Sequence, residues 1–351
     1  MNEDNNVDEI KKDENIINNI KNGVDNDDKP ITSLRIGIDY QISEDDEEIN
    51  IQCERIGKIE NLSKCKKLKS LMLISNHIKK IENLDELPLL NTLELYQNNI
   101  RKIQNLDKLY NLEVLDLSFN RIKKIENLDN LKKLRKLFLT NNKIKVIEGL
   151  ENNYELELLE LGSNDIRIVE NIDHLKNLKE LWLGKNKITR MDNIPKYDNI
   201  NILSLQSNRL TEWSENFVNN IKNISELYLG NNQLHDPPVD YFNNLNNLQI
   251  LDLSGNKISK LEEISKIPNI EELWLNNNII EDINEIKHLR RLKNLKTIYL
   301  EQNSIQYQLG PSYRISIINI LPWITQLDAI PLTRSGENKL NFDNDLKTEK
   351  E

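Results

Sequence analysis

Residues 68–89 read LKSLMLISNHIKKIENLDELPL, and residues 90–111 read LNTLELYQNNIRKIQNLDKLYN. The two segments place apolar residues at the same positions, and each has an asparagine at its ninth position. That asparagine recurs every 22 residues as far as Asn208 and then at steps of 24, 24, 22 and 25 to Asn303. A degenerate first copy places Glu54 at the asparagine position, so the chain holds about twelve copies.

The spacing within one copy predicts how it folds. A Leu-x-x-Leu-x-Leu-x-x-Asn core with a period in the twenties is typical of leucine-rich repeats. The alternation of Leu71, Met72 and Leu73 predicts a short strand with both leucines pointing inward. Apolar residues at three-residue steps then predict a short helix or 3₁₀ turn on the other side, and the inward asparagine satisfies backbone groups in a buried turn. We therefore predict an α/β solenoid, with a curved parallel β-sheet on the concave face and short helices or 3₁₀ turns on the convex face.

The distribution of charge and apolar residues divides the chain into four parts. The chain has 57 acidic and 47 basic residues. Residues 1–48 contain 15 of the acidic residues and 5 of the basic ones, so residues 49–351 contain 42 of each. Residues 1–48 are therefore predicted to be an acidic, mostly disordered leader. Residues 49–303 are predicted to be the repeat array. Residues 304–334 break the repeat but stay apolar, as expected of a C-terminal cap, and residues 335–351 are predicted to be a polar tail.

Composition limits the compartment in which we expect the protein. No apolar run approaches the roughly 18–20 residues needed to cross a bilayer. The first residues lack the basic start and apolar stretch of a signal peptide. Two cysteines, Cys53 and Cys65, are too few for a disulfide framework and fit a reducing compartment. We expect no membrane association and a location in the nucleus and cytoplasm.

A recurring Ile-x-x-Ile-Glu-Asn-Leu string resembles that of the regulatory subunit 7 family of protein phosphatase-1. It occurs at Ile56 to Leu62, Ile78 to Leu84 and Ile122 to Leu128. Arg55 to Glu60 is similar to that family's opening repeat, and Tyr313 to Ala329 is similar to its cap. The resemblance covers roughly residues 49–334. It implies a non-catalytic subunit that binds the phosphatase-1 catalytic subunit and restrains its activity, maturation or location. The protein is expected to be monomeric when unbound, and a third regulatory subunit in the complex remains an open alternative.

The outward residues of the strand face are mostly acidic or aromatic. Counting Leu68 as position one, position five holds Met72, Glu94, Asp116, Phe138, Glu160, Trp182, Ser204, Tyr228, Asp252, Trp274 and Tyr299. The acids at all outward positions are Glu94, Asp116, Glu160, Glu180, Glu226, Asp252, Glu272 and Glu301, against Lys136 and Lys185. Basic pairs such as Lys79 and Lys80 follow the asparagine, on a different rim. An acidic wall repels a phosphate backbone and attracts a basic protein surface, so we expect a protein partner and no nucleic acid.

The large rings on this face are candidate interface anchors. Phe138, Trp182, Trp274 and Tyr299 can supply much of the binding energy in a desolvated patch. The alternative is that neighbouring side chains across the sheet stack on these rings and hide them. The family resemblance implies partner contacts at Asp116, Phe138, Glu160, Trp182, Asp252, Glu272, Trp274 and Tyr299.

No pattern of catalytic or metal-binding residues stands out. The four histidines, His77, His174, His235 and His288, are scattered, and the cysteines lack a companion at zinc-site spacing. Ten glycines are too few and too dispersed for a phosphate-binding loop. We expect no enzyme activity, no cofactor and no metal. The same repeat type also serves as a scaffold in cytoskeletal, axonemal and splicing assemblies, and this alternative remains open.

Overall fold

The computed structural model describes residues 33–332. Within them, each of twelve repeats contributes a three-residue strand whose middle residue is buried. The strands are β1 Glu48–Asn50, β2 Ser70–Met72, β3 Thr92–Glu94, β4 Val114–Asp116, β5 Lys136–Phe138, β6 Leu158–Glu160, β7 Glu180–Trp182, β8 Ile202–Ser204, β9 Glu226–Tyr228, β10 Ile250–Asp252, β11 Glu272–Trp274 and β12 Thr297–Tyr299. They pair in parallel, each with the next along the chain. The predicted leucine-rich-repeat solenoid is confirmed.

The convex side is built mainly from single turns. Leu87 N–H donates to Leu84 C=O at 3.1 Å, an i→i+3 bond of the 3₁₀ type that recurs in other repeats. Among the described residues, helical segments between the repeat strands occur only from the eighth repeat onward. They are α1 Phe217–Asn220, η1 Ile264–Lys266, α2 Ile283–His288 and η2 Leu289–Arg291. Two of the longer repeats, with asparagine steps of 24 and 25, therefore place their extra residues in helical turns.

The recurrent asparagine forms a ladder along the buried interior. The Nδ2 of Asn120 donates to Leu95 C=O at 2.9 Å and to Leu117 C=O at 3.1 Å. Its Oδ1 accepts from Ile100 N–H at 2.9 Å, so one amide joins two consecutive repeats. Every repeat from Asn76 to Asn303 repeats this arrangement. The polar residue is kept in the core because it satisfies backbone groups that the turn leaves unpaired.

The asparagine of the Ile-Glu-Asn-Leu string, and its equivalent Asn105 in the sequence Ile-Gln-Asn-Leu, form a second ladder that the hydrophobic pattern does not predict. Asn105 has φ of 57°, in the left-handed region, and its Nδ2 donates to Ile81 C=O at 2.7 Å. Asn83 and Asn127 do the same one repeat away on either side. Gly149 takes this position with φ of 70°, and a Cβ there would lie 2.4 Å from Ile125 C=O. The position therefore needs a residue that tolerates left-handed φ, which asparagine and glycine do best.

Folded structure begins earlier than the sequence analysis predicted. Leu34 forms a bridge with Ile56, and Ile36 is completely buried against the first repeat. Asn61 Nδ2 donates to Ile36 C=O at 2.8 Å, which extends the second ladder to this segment. The leader predicted to be mostly disordered up to residue 48 is ordered over residues 33–48, where Leu34 and Ile36 cover the open end of the array. Residues 1–32 lie outside the described residues.

The opposite end of the array is closed by five further elements. These are α3 Ser304–Leu309, η3 Gly310–Ser312, α4 Tyr313–Ile320, β13 Gln326–Leu327 and β14 Ile330–Pro331. Strand β13 continues the parallel sheet, and β14 pairs with it in antiparallel orientation. The Asp328 carboxylate accepts from Leu300 and Glu301 N–H groups at 2.8 and 3.0 Å and from the Tyr313 hydroxyl at 3.2 Å. Part of the predicted cap, residues 333–334, and the predicted tail, residues 335–351, lie outside the described residues.

Candidate partner-binding face

The third residues of strands β3 to β12 form one continuous row across the sheet, which we call the aromatic–acidic row. Each is paired Cα to Cα with its neighbour. Its members are Glu94, Asp116, Phe138, Glu160, Trp182, Ser204, Tyr228, Asp252, Trp274 and Tyr299. Seven of the eight candidate residues lie in this row. Glu272 is the first residue of β11 and lies on the same face, two residues before Trp274.

Four rings in this row contact one another. Trp182 and Tyr228 are stacked, with centroids 5.9 Å apart and planes 24° apart, across the small residue Ser204. Tyr228 meets Trp274 edge to face at 6.2 Å, and Trp274 meets Tyr299 edge to face at 5.7 Å. Tyr228 holds position five but is not among the four predicted anchors. The spacing of aromatic residues at that position was the signal that could have identified it.

The rings are half-buried, so the alternative prediction, that neighbouring side chains stack on the rings and hide them, holds in part. Trp182, Tyr228, Trp274 and Tyr299 cover one another and still expose part of their surface. Phe138 is also half-buried, and its neighbours in the row are the acids Asp116 and Glu160. The result is a preorganised apolar surface, because stacking restricts the rings before any partner arrives.

Polar neighbours fix the orientation of three rings. The Glu180 carboxylate accepts from Trp182 Nε1 at 3.1 Å, and the Glu226 carboxylate accepts from the Tyr228 hydroxyl at 2.7 Å. Burial, followed by the hydrogen bond to Glu226, raises the pKa of Tyr228 above its ordinary range, so the hydroxyl stays a donor. From the cap, Gln326 Nε2 donates to the Tyr299 hydroxyl at 2.8 Å. Among the described residues, the buried Trp274 Nε1 has no hydrogen-bond acceptor.

Asp252 does not form part of an exposed acidic surface. It is 4% exposed, and its Oδ1 accepts from the Ser254 N–H at 2.8 Å and from the Ser254 hydroxyl at 2.6 Å. A Cβ at Gly230 would lie 2.4 Å from Asp252 Oδ2, so the glycine leaves room for the carboxylate. Asp252 lies in the row on the strand face, but it is buried there and its carboxylate is bonded to its own chain, so it adds no exposed charge to the face.

Asp116 repeats the same local motif in the other half of the row. Its carboxylate accepts from Ser118 N–H at 2.8 Å, and it is only partly exposed. Burial raises its pKa, and the hydrogen bonds from Ser118 partly offset that rise. Burial, followed by the charges of Asp116 and Glu48, raises the pKa of Glu94. Like charges therefore accumulate at this end of the face, as the predicted acidic bias requires.

A second aromatic patch lies beside these acids. The rings of Tyr96 and Phe119 are 4.9 Å apart and tilted by 50°. Phe119 is 40% exposed and holds φ of 54° in the turn after its strand. Both residues occupy the outward positions that follow the strand. They extend the half-buried aromatic surface toward the loop edge of the sheet.

Chemical groups outside this face are dispersed. No group of three or more His, Cys, Asp or Glu residues within residues 33–332 is arranged to hold a metal ion. Cys53 is exposed, Cys65 is buried, and neither is in a disulfide. His174 Nε2 lies 2.9 Å from Leu150 C=O, a contact between repeats. In the same part of the chain, no helix is long and apolar enough to span a bilayer.

Solved structures share this architecture. An internalin of Listeria monocytogenes superimposes with a TM-score of 0.68 over 82% of this chain and 87% of its own, at 23% identity. A leucine-rich-repeat protein of Leptospira interrogans gives a TM-score of 0.61 over 76% and 73%, at 26% identity. The profile of the family described as Leucine Rich repeats (2 copies) matches residues 88–130, 110–152 and 246–288. This chain is a leucine-rich-repeat solenoid.

Two relatives of this solenoid are named as phosphatase regulators. The protein phosphatase 1 regulatory subunit pprA of Dictyostelium discoideum is 38% identical over 79 residues, 22% of this chain and 23% of that protein. The protein phosphatase 1 regulatory subunit SDS22 of Schizosaccharomyces pombe is 39% identical over 78 residues, 22% and 24%. The predicted resemblance to phosphatase-1 regulatory subunits is confirmed over these segments.

A third relative has a different kind of name. The cilia- and flagella-associated protein 410 of Homo sapiens is 33% identical over 76 residues, 22% of this chain and 30% of that protein. The matched segments thus span less than a third of each of these three relatives. What the sequence similarity supports is a regulatory or scaffolding leucine-rich-repeat protein.

Proposed function

We propose that this protein is a non-catalytic regulatory subunit that binds the catalytic subunit of protein phosphatase-1 through its concave face. The observation that carries the proposal is the continuous row of fixed rings and acids, in a chain similar to two named phosphatase-1 regulatory subunits. The residues proposed to contact the partner or to shape the contact surface are Asp116, Phe138, Glu160, Trp182, Tyr228, Asp252, Glu272, Trp274 and Tyr299.

The chemistry of the row favours a folded protein with a basic surface. Half-buried rings that are already ordered lose little side-chain entropy on binding, which is the property of interface hot spots. The surrounding carboxylates, including Glu160 and Glu272, steer a positively charged surface toward them. Within the row, Asp252 is buried, so we propose that it shapes the contact surface without touching the partner.

Binding over this face would restrain the phosphatase in activity, maturation or location. A long concave surface contacts many parts of a globular partner at once and can hold it in one conformation. We propose that the complex acts in the nucleus and cytoplasm, which fluorescence imaging of the tagged protein together with cell fractionation can test.

Calorimetric titration of the purified protein with the phosphatase-1 catalytic subunit tests the binding. We expect Trp274→Ala and Phe138→Ala each to weaken binding by roughly 2–4 kcal/mol. Tyr110→Ala and Tyr154→Ala are matched controls, because both rings are 54% exposed and lie outside the row, and they should bind like the parent. Absence of binding even at low salt, or equal losses in the controls, would contradict the proposal.

A phosphatase assay of the purified complex separates the proposed effects. A lower turnover rate in the complex than in the free catalytic subunit supports restraint of activity. An unchanged turnover rate together with tight binding supports a role in determining where the phosphatase is located. Recovery of inactive phosphatase that metal addition restores supports a role in maturation.

A leucine-rich-repeat scaffold of a cytoskeletal, axonemal or splicing assembly is the second candidate. The similarity to a cilia- and flagella-associated protein favours it. Affinity purification followed by mass spectrometry discriminates between the two. Tubulin, dynein or spliceosomal proteins recovered without phosphatase-1 would support the scaffold, and loss of those proteins in Trp274→Ala would assign the same face to it.

A further inference from the structure

Five consecutive repeats place a cation at the same exposed position, three residues after the conserved asparagine. We call this set the basic row. It consists of Lys79, Arg101, Lys123, Lys145 and Arg167, all of them exposed. The row lies after the conserved asparagine, outside the strands that carry the aromatic–acidic row.

The fold fixes both the direction and the spacing of these cations. Ile78 and Ile81 are completely buried, so Lys79 between them is directed outward, and the later repeats have the same pattern. Backbone bonds of 2.8 Å from Arg121 N–H to Ile100 C=O and from Lys143 N–H to Ile122 C=O join neighbouring repeats beside the row. Chain segments joined in this way are about 5 Å apart, so the five cations are held in a line of roughly 20 Å.

Other columns of exposed side chains differ in their charge pattern: Asp85, Asp107, Asp129, Glu151 and Asp173 form an acidic line, whereas one column alternates in sign. Arg135, Glu157 and Lys179 occupy equivalent positions in three repeats, alternate in sign, and form ion pairs of 2.6 and 3.0 Å. Neighbouring like charges repel one another and destabilise the free protein. Alternation allows such ion pairs to form within one column, whereas the members of the basic row cannot pair with one another.

The described residues do not neutralise the basic row. None of its five members lies within 4.0 Å of a carboxylate oxygen in residues 33–332. The pKa of Asp165 is lowered by a hydrogen bond from Lys187 and, more weakly, by the charges of Lys145 and Arg167. Glu82, Glu126, Glu148 and Glu170 follow three residues after four members of the row. Because Lys80, Lys102 and Lys124 add further positive charge, the strip as a whole remains net positive.

Apolar surface lies directly beside one end of the row. The residue after each member is Lys80, Lys102 and Lys124 in the first three repeats and then Val146 and Ile168. Val146 is 41% exposed and Ile168 is 50% exposed. Lys80 and Lys124 have ion-pair partners at 3.5 and 3.7 Å, so this second line is partly neutralised. Cations next to exposed aliphatic side chains match a ligand that combines carboxylates with an apolar group.

We infer that the basic row is a second docking surface, which binds an acidic protein segment that also carries an apolar side chain. An extended chain of about six residues covers the roughly 20 Å of the row and presents its side chains alternately to it. A phosphate backbone would satisfy the cations and leave Val146 and Ile168 uncovered, so the apolar pair favours a peptide. Because the surface lies outside the strands, an acidic segment on the basic row and a partner on the concave face can bind at the same time, and the inference does not depend on the proposed phosphatase.

Fluorescence anisotropy of a labelled peptide, ten residues of alternating Glu and Ser with two Leu at one end, tests this surface on the full chain. We expect Lys123→Gln/Lys145→Gln/Arg167→Gln to weaken binding about tenfold. The matched control Lys108→Gln/Lys132→Gln/Lys176→Gln removes the same charge from exposed positions of nearby repeats and should change affinity less than about twofold. The double variant Val146→Ser/Ile168→Ser should weaken binding of the peptide and leave binding of a single-stranded oligonucleotide of equal charge unchanged.

Three results would overturn the inference. Equal weakening by the two triple variants would mean that only net charge matters. An oligonucleotide that binds as tightly as the peptide, with no effect of the serine changes, would assign the row to nucleic acid. Absence of peptide binding at low salt, with circular dichroism of the parent showing a folded chain, would mean that the row binds no acidic segment.

Discussion

The ring of Tyr228 meets that of Trp274 edge to face, with centroids 6.2 Å apart, and the strand between them contributes the buried Asp252. The two rings thus contact each other across the strand that carries Asp252. Tyr228 also stacks on Trp182, and Trp274 contacts Tyr299, so rings from β7, β9, β11 and β12 form one unit. A change at Tyr228 should therefore affect rings that it contacts on both sides.

Tyr228→Ala tests whether the rings act together. Removing the ring frees Trp182 and Trp274 from their common neighbour, so we expect the phosphatase to bind roughly 2–4 kcal/mol more weakly. Tyr228→Phe keeps the ring and loses only the bond to Glu226, and it should lose less than about 1 kcal/mol. Calorimetry of both variants decides: equal losses would show that the hydroxyl, and not the stacking, determines affinity.

Adjacent residues of β5 should separate stability from binding. Leu137 is completely buried and Phe138 is half-buried on the strand face. Leu137→Ala leaves a cavity in the core and should cost roughly 2–5 kcal/mol of unfolding free energy. Denaturant titration measures this loss, and at low temperature the surviving fold should bind the partner normally. If Leu137→Ala were as stable as the parent and Phe138→Ala were unfolded, the assignment of strand faces would be wrong.

Asp252→Asn should raise stability at neutral pH. Burial raises the pKa of Asp252 above its ordinary 3.8, so the folded chain favours the protonated form. The stabilisation that comes from protonating Asp252 is fully present below pH 3.8, the ordinary pKa of an aspartate. It is lost as the pH rises through the pKa of Asp252 in the folded chain, so at pH 7.5 the folded chain contains a buried charge. Asparagine keeps the acceptor for Ser254 without that charge. We expect the Tm to rise by about 1–3 °C at pH 7.5, with a smaller difference at pH 3.5.

A control distinguishes this effect from a general change in charge. Glu155→Gln removes one exposed acid from the same solenoid and should leave the Tm unchanged at both pH values. Asp116→Asn should follow Asp252→Asn in direction, because burial raises its pKa as well. A Tm difference for Asp252→Asn that grows toward pH 3.5 would contradict the assigned direction of the pKa shift.

The periodicity of the sequence was enough to predict the strands and the faces on which their residues lie. Leu-x-Leu alternation determines which side chains enter the core, and 22-residue spacing determines which residues of neighbouring repeats align. Every candidate residue is on the strand face for that reason. The burial of Asp252 was not predicted, because periodicity gives the face on which a residue lies and not how far its neighbours cover it.

Contacts between repeats were harder to predict from the sequence. The stacking of Tyr228 on Trp182 requires a small residue on the strand between them, and Ser204 meets that requirement. The asparagines of the Ile-Glu-Asn-Leu string were noticed only as a resemblance, since a left-handed φ is not visible in a hydrophobic pattern. Composition averaged over residues 1–48 likewise concealed Ile36.

The asparagine ladder should be expensive to interrupt. Asn164 Nδ2 donates to Leu139 and Leu161 C=O, both at 3.0 Å, and its Oδ1 accepts from Ile144 N–H at 3.0 Å. Asn164→Ala leaves these buried groups unpaired and should cost about 3 kcal/mol or more. Asn164→Asp keeps the acceptor and loses the donors, so it should also destabilise.

An exposed asparagine provides the comparison for Asn164. The Asn177 Nδ2 donates to Tyr154 C=O at 3.1 Å at an exposed position, where water can replace it. Asn177→Ala should therefore cost less than about 1 kcal/mol. Urea unfolding followed by circular dichroism gives both values. Equal losses for Asn164→Ala and Asn177→Ala would mean that burial of the ladder contributes little.

Ile36 and Ile38 test where the folded array begins. Ile36 is completely buried, while Ile38 is 47% exposed two residues later. If residues 33–48 cover the first repeat, Ile36→Ala should lower the unfolding free energy by roughly 2–4 kcal/mol, and Ile38→Ala should have little effect. Because repeats unfold from their ends, hydrogen exchange should rise first around Ile56 and Ile59 in the Ile36→Ala variant. Equal effects of the two changes, or unchanged exchange in the first repeat, would show that folding of the array does not depend on this segment.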